Sequence, residues 1–274
     1  MSDENNNLGH FLTYELWLNA LRLLDFQVQA QETNKHFKTL SMIYYKRLGD
    51  ETRAVKTDEF YKQKVANNLF YGLENEFAVI PYTVPKAGLG LRNYKFFTYP
   101  MRAIYDAIGL YLLRLSSEFL RNFYNPIQNI RSYYGGGIYF EKESLVVTKN
   151  NVYFSEYYRR FRNGIRKEIG ITEDIQETLD KNKDHVVIRL DIQNYYDEIS
   201  IPKLLDLLDD KIKDTQKTSL GFDEITKEQI SFFLRFLSNG ERGIPQSDNS
   251  LISSFIGYLY LVFGDVFIDG ELRR

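Results

Sequence analysis

Apolar side chains recur at alternating three- and four-residue spacing along several long stretches of the chain. This spacing places them on one face of an α-helix, which can then bury that face against other elements. The residues that show it best are Tyr14, Trp17, Leu21, Leu24 and Val28, and, after Pro100, Ile104, Ile108, Leu112 and Leu115. We predict helices over residues 11–47, 57–73, 100–121, 201–213, 226–238 and 250–267.

Other segments depart from the helical period. Residues 77–100 mix apolar and polar residues around a Gly-rich turn, which is typical of a β-hairpin. Residues 185–192, HVVIRLDI, are a short β-branched run that predicts a buried strand. Residues 122–150 contain a glycine triplet and are expected to be loop with short strands. The sequence therefore predicts an α+β fold with a helical N-terminal segment.

Composition narrows the classes of function. The chain has 274 residues, a formal net charge of −2 and no cysteine, which excludes a disulfide framework and thiolate metal sites. A chain of this charge can bind nucleic acid only through a local basic patch. The N-terminus is polar and acidic, and no stretch approaches the roughly 20 uninterrupted apolar residues that span a bilayer. We therefore expect a cytoplasmic protein that does not enter a membrane.

The predicted strand at 185–192 ends close to a carboxylate, Asp191, in the run VVIRLDIQNYYDEI. A carboxylate at the end of a buried apolar strand is costly unless it is paired or holds a metal ion. In phosphoryl transfer, such a carboxylate bridges two metal ions that activate the attacking hydroxyl and stabilise the leaving group. Asp191 is therefore a candidate Mg²⁺ ligand. The alternative is an Asp that caps the strand end or the following turn.

A second candidate site lies in residues 242–261, RGIPQSDNSLISSFIGYLYL, where a Gly-X-Pro turn leads into a Ser-rich helix. Gln246 could lie against a nucleotide or a template base there, and the N-terminus of the helix favours phosphate. The alternative is an ordinary helix start capped by Asp248 or Asn249.

Two groups of basic residues are candidates for phosphate binding. Lys86 and Arg92 flank the Gly-rich turn of the predicted hairpin, where they could hold a triphosphate. A predicted helix over 153–169 mixes basic side chains, which neutralise phosphates, with aromatic ones, which stack on bases. Its candidate nucleic-acid contacts are Tyr157, Arg159, Arg160, Arg162 and Arg166. The alternatives are a solvated hairpin tip and a helix whose cations pair with acidic neighbours.

These motifs occur in the order PK-x5-R, LDI-x2-YYDEI and GIPQ with a Ser-rich helix. In that order the chain resembles reverse transcriptases in their first, second, A and B motifs, over roughly residues 80–267. It looks most like the abortive-infection and other phage-defence members. The resemblance implies a helical N-terminal segment over 1–76, a fingers-like region over 77–184 and an incomplete palm over 185–274.

The resemblance also implies roles in a deoxynucleotidyltransferase site. Asp191 would be the first catalytic carboxylate and, with the carbonyl oxygen of Ile192, would bind Mg²⁺ or Mn²⁺. Tyr196 would lie under the incoming sugar and clash with a 2′-hydroxyl, so the substrates would be deoxynucleoside triphosphates. The residues implied to bind the nucleotide are Lys86, Arg92, Tyr196 and Gln246. Arg189 lies two residues before Asp191, so strand alternation places both on one face, where Arg189 could bind the phosphate of the nucleotide or pair with a carboxylate.

The chain departs from the family at two points. Ser247 follows Gln246 where reverse transcriptases usually have Gly, so the backbone is expected to approach the substrate less closely. No Tyr-X-Asp-Asp motif follows residues 250–267, and the only Asp-Asp pair, Asp209–Asp210, lies in a helical run. Because a two-metal site needs a second carboxylate, we expect this chain to be inactive without a C-terminal remainder of the polymerase.

The family resemblance further implies a homo-oligomer with a DNA product, made by templated or by protein-primed, untemplated synthesis. Two other functions stay open. One is a catalytically inactive palm remnant that binds nucleic acid or protein, and the other is a retron- or intron-type templated reverse transcriptase.

Overall fold

The fold, taken from a computed structural model, is α+β and mostly helical, which confirms the predicted class. The structure describes residues 8–30, 55–67, 79–85, 90–123, 138–141, 144–147, 192, 194–240, 242–245 and 250–272. Within these ranges the strands form two antiparallel pairs, and the helices share an apolar core. The predicted division into an N-terminal segment, fingers and palm stays a prediction.

Helix α1, Tyr14–Ala30, carries the first apolar stripe of the sequence. Trp17 is fully buried, and its indole N–H donates a hydrogen bond to the carbonyl oxygen of Val55 at 2.9 Å. The described part of the predicted helix at 11–47 is thus confirmed from Tyr14 onward, and its remainder at 31–47 lies outside the described residues.

A helical segment follows α1 over Asp58–Phe60 and Tyr61–Ala66, the second part with π-helical hydrogen bonds. It starts where predicted, because the Thr57 side chain accepts a hydrogen bond from the Phe60 N–H at 3.1 Å and caps the first turn. The predicted continuation over 68–73 lies outside the described residues.

The predicted hairpin is confirmed. Strand β1, Val79–Pro85, pairs antiparallel with β2, Leu91–Phe97. Tyr82 and Tyr94 lie directly opposite each other, and their rings stack with centroids 5.6 Å apart. Such a cross-strand aromatic pair helps to fix the register. Residues 86–89, which form the predicted turn, lie outside the described residues.

Helix α2, Tyr99–Phe123, is the central element of the core and packs against α1 on one side and the C-terminal helix on the other. Its predicted apolar stripe is buried throughout. Pro100 occupies the first turn, where a missing backbone N–H costs nothing. The short strands predicted within 122–150 are present as the antiparallel pair β3, Ile138–Glu141, and β4, Ser144–Val147.

The C-terminal part of the chain is helical. Its elements are α3, Tyr195–Glu198; α4, Ile201–Lys211; α5, Asp214–Leu220; α6, Glu224–Ser238; and α7, Leu251–Leu272. Helices α4, α6 and α7 confirm three predictions, and Asp209–Asp210 is helical as predicted. Side-chain caps explain two of the starts, since Ser200 accepts from the Lys203 N–H and Asp223 from the Thr226 N–H.

Helix α5 was not predicted. Its sequence, DTQKTSL, has no apolar stripe from which a helix could be inferred. Contacts with α2 hold it instead: the Tyr111 hydroxyl donates to the Leu220 carbonyl oxygen at 3.1 Å, and the Gln216 amide to the Arg114 carbonyl oxygen at 3.2 Å. Tertiary structure thus stabilises a segment whose local pattern is weak.

Helix α7 is more apolar than the other described helices. Its window Leu251–Ile268 is long and apolar enough to cross a membrane by length and composition alone, and 44% of that window is buried inside the fold. Ile252, Phe255 and Ile256 are fully buried and belong to the core, against α2. The first half of α7 is therefore a core helix of a folded domain.

Candidate functional site

Most of the predicted site residues lie outside the part of the chain that the structure describes. They are Asp191, Arg189, Lys86, Gln246, Tyr157, Arg159, Arg160, Arg162 and Arg166. Arg92 lies in β2, but its side chain is not described. Ile192, the one described residue of the predicted strand, is 56% exposed. Tyr196 is described fully, and its contacts define the candidate site.

Tyr195 and Tyr196 form the first turn of α3. Asn194, just before it, has a φ of 51° and lies in the left-handed region, which Asn tolerates better than most residues. The two rings meet edge to face with centroids 5.5 Å apart, and both side chains are half-buried. The segment LDI-x2-YYDEI thus contains an aromatic pair on one short helix.

The Gly-Ile-Pro turn returns to this short helix. The N–H of Gly243 donates to the Ile199 carbonyl oxygen at 2.8 Å, and the N–H of Ile244 donates to the Tyr196 carbonyl oxygen at 2.9 Å. Gly243 has a φ of +87°, and a Cβ there would lie 3.2 Å from the Asp197 carbonyl oxygen. A residue with a side chain would be strained at this position. The two predicted motif segments are therefore joined through their backbones.

Helix α7 packs against the same aromatic pair. The Tyr195 hydroxyl donates to the carbonyl oxygen of Gly257 at 2.5 Å, and Tyr196 is hydrogen-bonded to Ser254. A Cβ on Gly257 would lie only 2.8 Å from Cε1 of Tyr196, so the ring lies directly on the helix backbone. Burial raises the pKa of both tyrosine hydroxyls, which therefore stay protonated near neutral pH.

Hydroxyl groups of α2 and α7 are hydrogen-bonded to one another and to the Gly-Ile-Pro turn. The Ser253 hydroxyl donates to the Pro245 carbonyl oxygen at 2.6 Å and lies 2.9 Å from the Tyr105 hydroxyl. Ser250 precedes α7, and its hydroxyl accepts from the Ser253 N–H at 3.1 Å. Ser250 is therefore the residue that caps α7. The predicted caps, Asp248 or Asn249, were wrong because α7 begins at Leu251, one residue later than predicted.

A buried polar cluster anchors the start of α7 to α1 and α2. Gln27 donates to Asp106 at 2.9 Å and accepts from Arg102 at 2.9 Å and from the Leu251 N–H at 3.2 Å. Arg102 also donates to Asp106 at 3.2 Å. Burial raises the pKa of Asp106 to about 6, while Arg102 and Gln27 act in the opposite direction. Four groups thus satisfy one another in the core, and one of them is the first N–H of α7.

Sequence reasoning missed this cluster. Gln27 and Asp106 interrupt apolar stripes that otherwise predict two helices, and a polar residue on a buried face was the available signal. A second missed contact is Lys95 of β2, whose ammonium donates to the Leu237 carbonyl oxygen at 2.7 Å and lies near Asp197. Burial lowers the pKa of Lys95. The hydrogen bond of Lys95 therefore connects the β1–β2 hairpin to the end of α6.

The Asp-Asp pair of α4 is engaged in ion pairs. Asp209 accepts from Lys217 at 3.1 Å and from Lys227 at 2.9 Å, and these hydrogen bonds hold its pKa below the ordinary value. Among the described residues, no group of three His, Asp or Glu side chains could hold a metal ion. The predicted metal ligand Asp191 is not among them.

Comparison with known proteins adds no relative. No family model matches the chain, no curated protein matches it, and no solved structure matches it.

Proposed function

We propose that this chain forms the fingers and part of the palm of a reverse-transcriptase-like DNA polymerase. The observation that carries the proposal is the backbone pairing of the two motif segments, in which Ile244 and Gly243 donate to Tyr196 and Ile199. In sequence these segments are far apart, and each has an ordinary structural explanation when taken alone. Their direct contact is what a shared nucleotide site would require.

The contacts of Tyr196 support a role in sugar selection. A ring that excludes a 2′-hydroxyl must not move aside when a ribonucleotide enters, because specificity of this kind depends on a steric clash. Tyr196 is held by the backbone of Gly257, by Ser254 and by the ring of Tyr195. The substrates would then be deoxynucleoside triphosphates.

The remaining roles follow from the family resemblance. Asp191 and the carbonyl oxygen of Ile192 are hard oxygen donors of the kind that Mg²⁺ or Mn²⁺ prefers. The metal would stabilise negative charge on the transferring phosphate. The residues proposed to bind the nucleotide in addition to Tyr196 are Lys86, Arg92, Arg189 and Gln246.

Phosphoryl transfer with two metal ions also requires a second carboxylate as a metal ligand. We propose that this group comes from polymerase sequence outside residues 1–274, and that the active form is a cytoplasmic homo-oligomer. Its DNA product would serve phage defence by abortive infection, with synthesis either templated or protein-primed.

The proposal is tested by measuring incorporation of deoxyribonucleotides and ribonucleotides by the full-length polymerase. Tyr196→Val removes the ring and should raise ribonucleotide use relative to deoxyribonucleotide use by about tenfold or more. Tyr196→Phe keeps the ring and is the matched control, with selectivity close to that of the wild type. An unchanged ratio in Tyr196→Val would contradict the role in sugar selection. A wild-type protein that binds DNA and incorporates no nucleotide would instead be a binding module.

A further inference from the structure

A groove of about 740 Å³ lies between α4 and α6, and Tyr196 is not among the residues that line it. Its apolar lining includes Pro202 and Leu205 from α4 and Phe232 and Phe236 from α6. Phe232 is 42% exposed and Phe236 is 50% exposed. These two rings are one helical turn apart, so they present a continuous apolar strip along the groove. Apolar strips of this kind, rimmed by polar groups, mark interaction sites.

Beneath the groove surface lies a buried hydrogen-bond acceptor that nothing in the described chain satisfies. Gln229 of α6 is only 4% exposed, and its Oε1 has no hydrogen-bond partner among the described residues. A buried acceptor of this kind costs roughly 1–3 kcal/mol when it is left unpaired. Because this oxygen is buried, a ligand in the groove could reach it only if the Gln229 side chain turned toward the opening.

The rim of the groove is acidic. Asp206 of α4 and Glu228 of α6 line it and make no ion pair with any residue that the structure describes. Lys227 also lines the groove, but its ammonium forms ion pairs with Asp209 at 2.9 Å and with Glu224 at 2.5 Å, which neutralise its charge. Arg235, the other lining base, also has an interaction within the chain. Asp206 and Glu228 therefore place on the rim two carboxylates that are unpaired among the described residues, against the guanidinium of Arg235, and this excess of negative charge favours cationic N–H donors.

We propose that this groove binds a basic amphipathic helix of a partner protein. Apolar side chains of that helix would cover Phe232 and Phe236, while its Lys or Arg side chains reach Asp206 and Glu228. Helix α6 has 15 residues and is about 22 Å long, which accommodates several turns of a partner. The acidic rim opposes nucleic acid and anionic lipid, which carry negative charge.

The test uses a fluorescein-labelled helical peptide of leucine and lysine, with leucines at three- and four-residue spacing, and the full chain. Fluorescence anisotropy should show binding that the double variant Phe232→Ser/Phe236→Ser weakens by about tenfold or more. Phe267→Ser is the matched control, because Phe267 is 69% exposed on α7, outside the groove, and its loss should leave the affinity unchanged. The paired change Asp206→Asn/Glu228→Gln should weaken binding at low salt and reduce its salt dependence.

Gln229→Met separates the groove surface from the buried side of α6. It removes a buried unpaired acceptor beneath the groove, so neither the thermal stability of the free protein nor its affinity for the peptide should fall. Equal binding of a leucine–glutamate peptide, or equal loss in Phe267→Ser and the Phe232/Phe236 variant, would overturn the proposal. So would a dimer, seen by sedimentation velocity, that the Phe232/Phe236 variant dissociates without any change in peptide binding, because the groove would then hold a second copy of the chain.

Discussion

The backbone N–H of Ile244 donates a hydrogen bond to the carbonyl oxygen of Tyr196 at 2.9 Å. This bond joins the turn before α7 to the aromatic pair of α3. Gly257 of α7 lies against the same pair, so the turn holds Tyr196 at its backbone and α7 holds it at its ring. Tyr196, the turn and the first turns of α7 are therefore packed together and should move together.

Gly257 should not tolerate a side chain. A Cβ at this position would lie 2.8 Å from Cε1 of Tyr196, so the ring would have to move. We expect Gly257→Ala to lower the free energy of unfolding by about 1–3 kcal/mol. Gly264→Ala in the same helix is the control, since a Cβ there meets nothing within 4 Å and should stabilise α7 by about 0.5–1 kcal/mol. Urea denaturation measures both, and two variants of equal stability would refute the close packing.

Gln27 should hold the start of α7 in place. Replacing it with Leu leaves Arg102, Asp106 and the Leu251 N–H without a shared partner in the core. We expect Gln27→Leu to cost about 2–4 kcal/mol and to speed hydrogen exchange at the Leu251 amide. Gln63→Leu is the control, because the side chain of Gln63 is exposed and, among the described residues, is hydrogen-bonded to Glu59 alone. Unchanged exchange at Leu251 would show that Gln27 does not anchor the helix.

Asp106 should make stability depend on pH. Burial raises its pKa from 3.8 to about 6, so the folded state binds a proton more tightly than the unfolded state. The stabilisation is present below the unfolded pKa and is lost as pH rises through the folded pKa. Between about pH 4 and about pH 6, the wild type should lose up to about 3 kcal/mol relative to Asp106→Asn. Denaturation curves of the two proteins across this range test the prediction, and parallel profiles would contradict it.

The basic aromatic segment at 153–169 lies outside the described residues, and its role stays a prediction. Replacing Arg159 and Arg162 together with Ala should weaken DNA binding and reduce the slope of log affinity against log salt by up to about 2. Lys203→Ala/Lys211→Ala in α4 removes the same charge elsewhere and should change the affinity much less. Equal affinity for DNA at low salt in the wild type and the Arg159/Arg162 variant would contradict the assignment of this segment to DNA binding.

Local patterns in the sequence predicted much of the fold. The apolar stripe from Ile104 to Leu115 predicts α2, because side chains at helical spacing must share a face. The mixed run around a Gly-rich turn predicts the β1–β2 hairpin for an equally local reason. Helix α5 was not predicted because hydrogen bonds with α2, made by Tyr111 and by Gln216 of α5, hold it in place rather than an apolar stripe.

The candidate site was predictable only in part. The sequence singled out Tyr196 and the Gly-Ile-Pro turn, but their hydrogen bonds depend on the folded chain. The contact between Gln27 and the Leu251 N–H spans 224 residues, and no spacing rule reaches that far. Tyr105 lies in the predicted helix over 100–121, and no sequence pattern marks its hydroxyl as special. In the fold, that hydroxyl lies 2.9 Å from the hydroxyl of Ser253 beside the turn.

The most direct test of the polymerase proposal is Mg²⁺-dependent incorporation of labelled deoxynucleotides by the full-length protein and by Asp191→Asn. Asp197→Asn is the matched control, because Asp197 is an exposed carboxylate of the same motif segment. We expect the wild type and Asp197→Asn to make DNA, and Asp191→Asn to lose at least about a hundredfold in rate. Comparable synthesis by Asp191→Asn, or none by the wild type, would contradict the account.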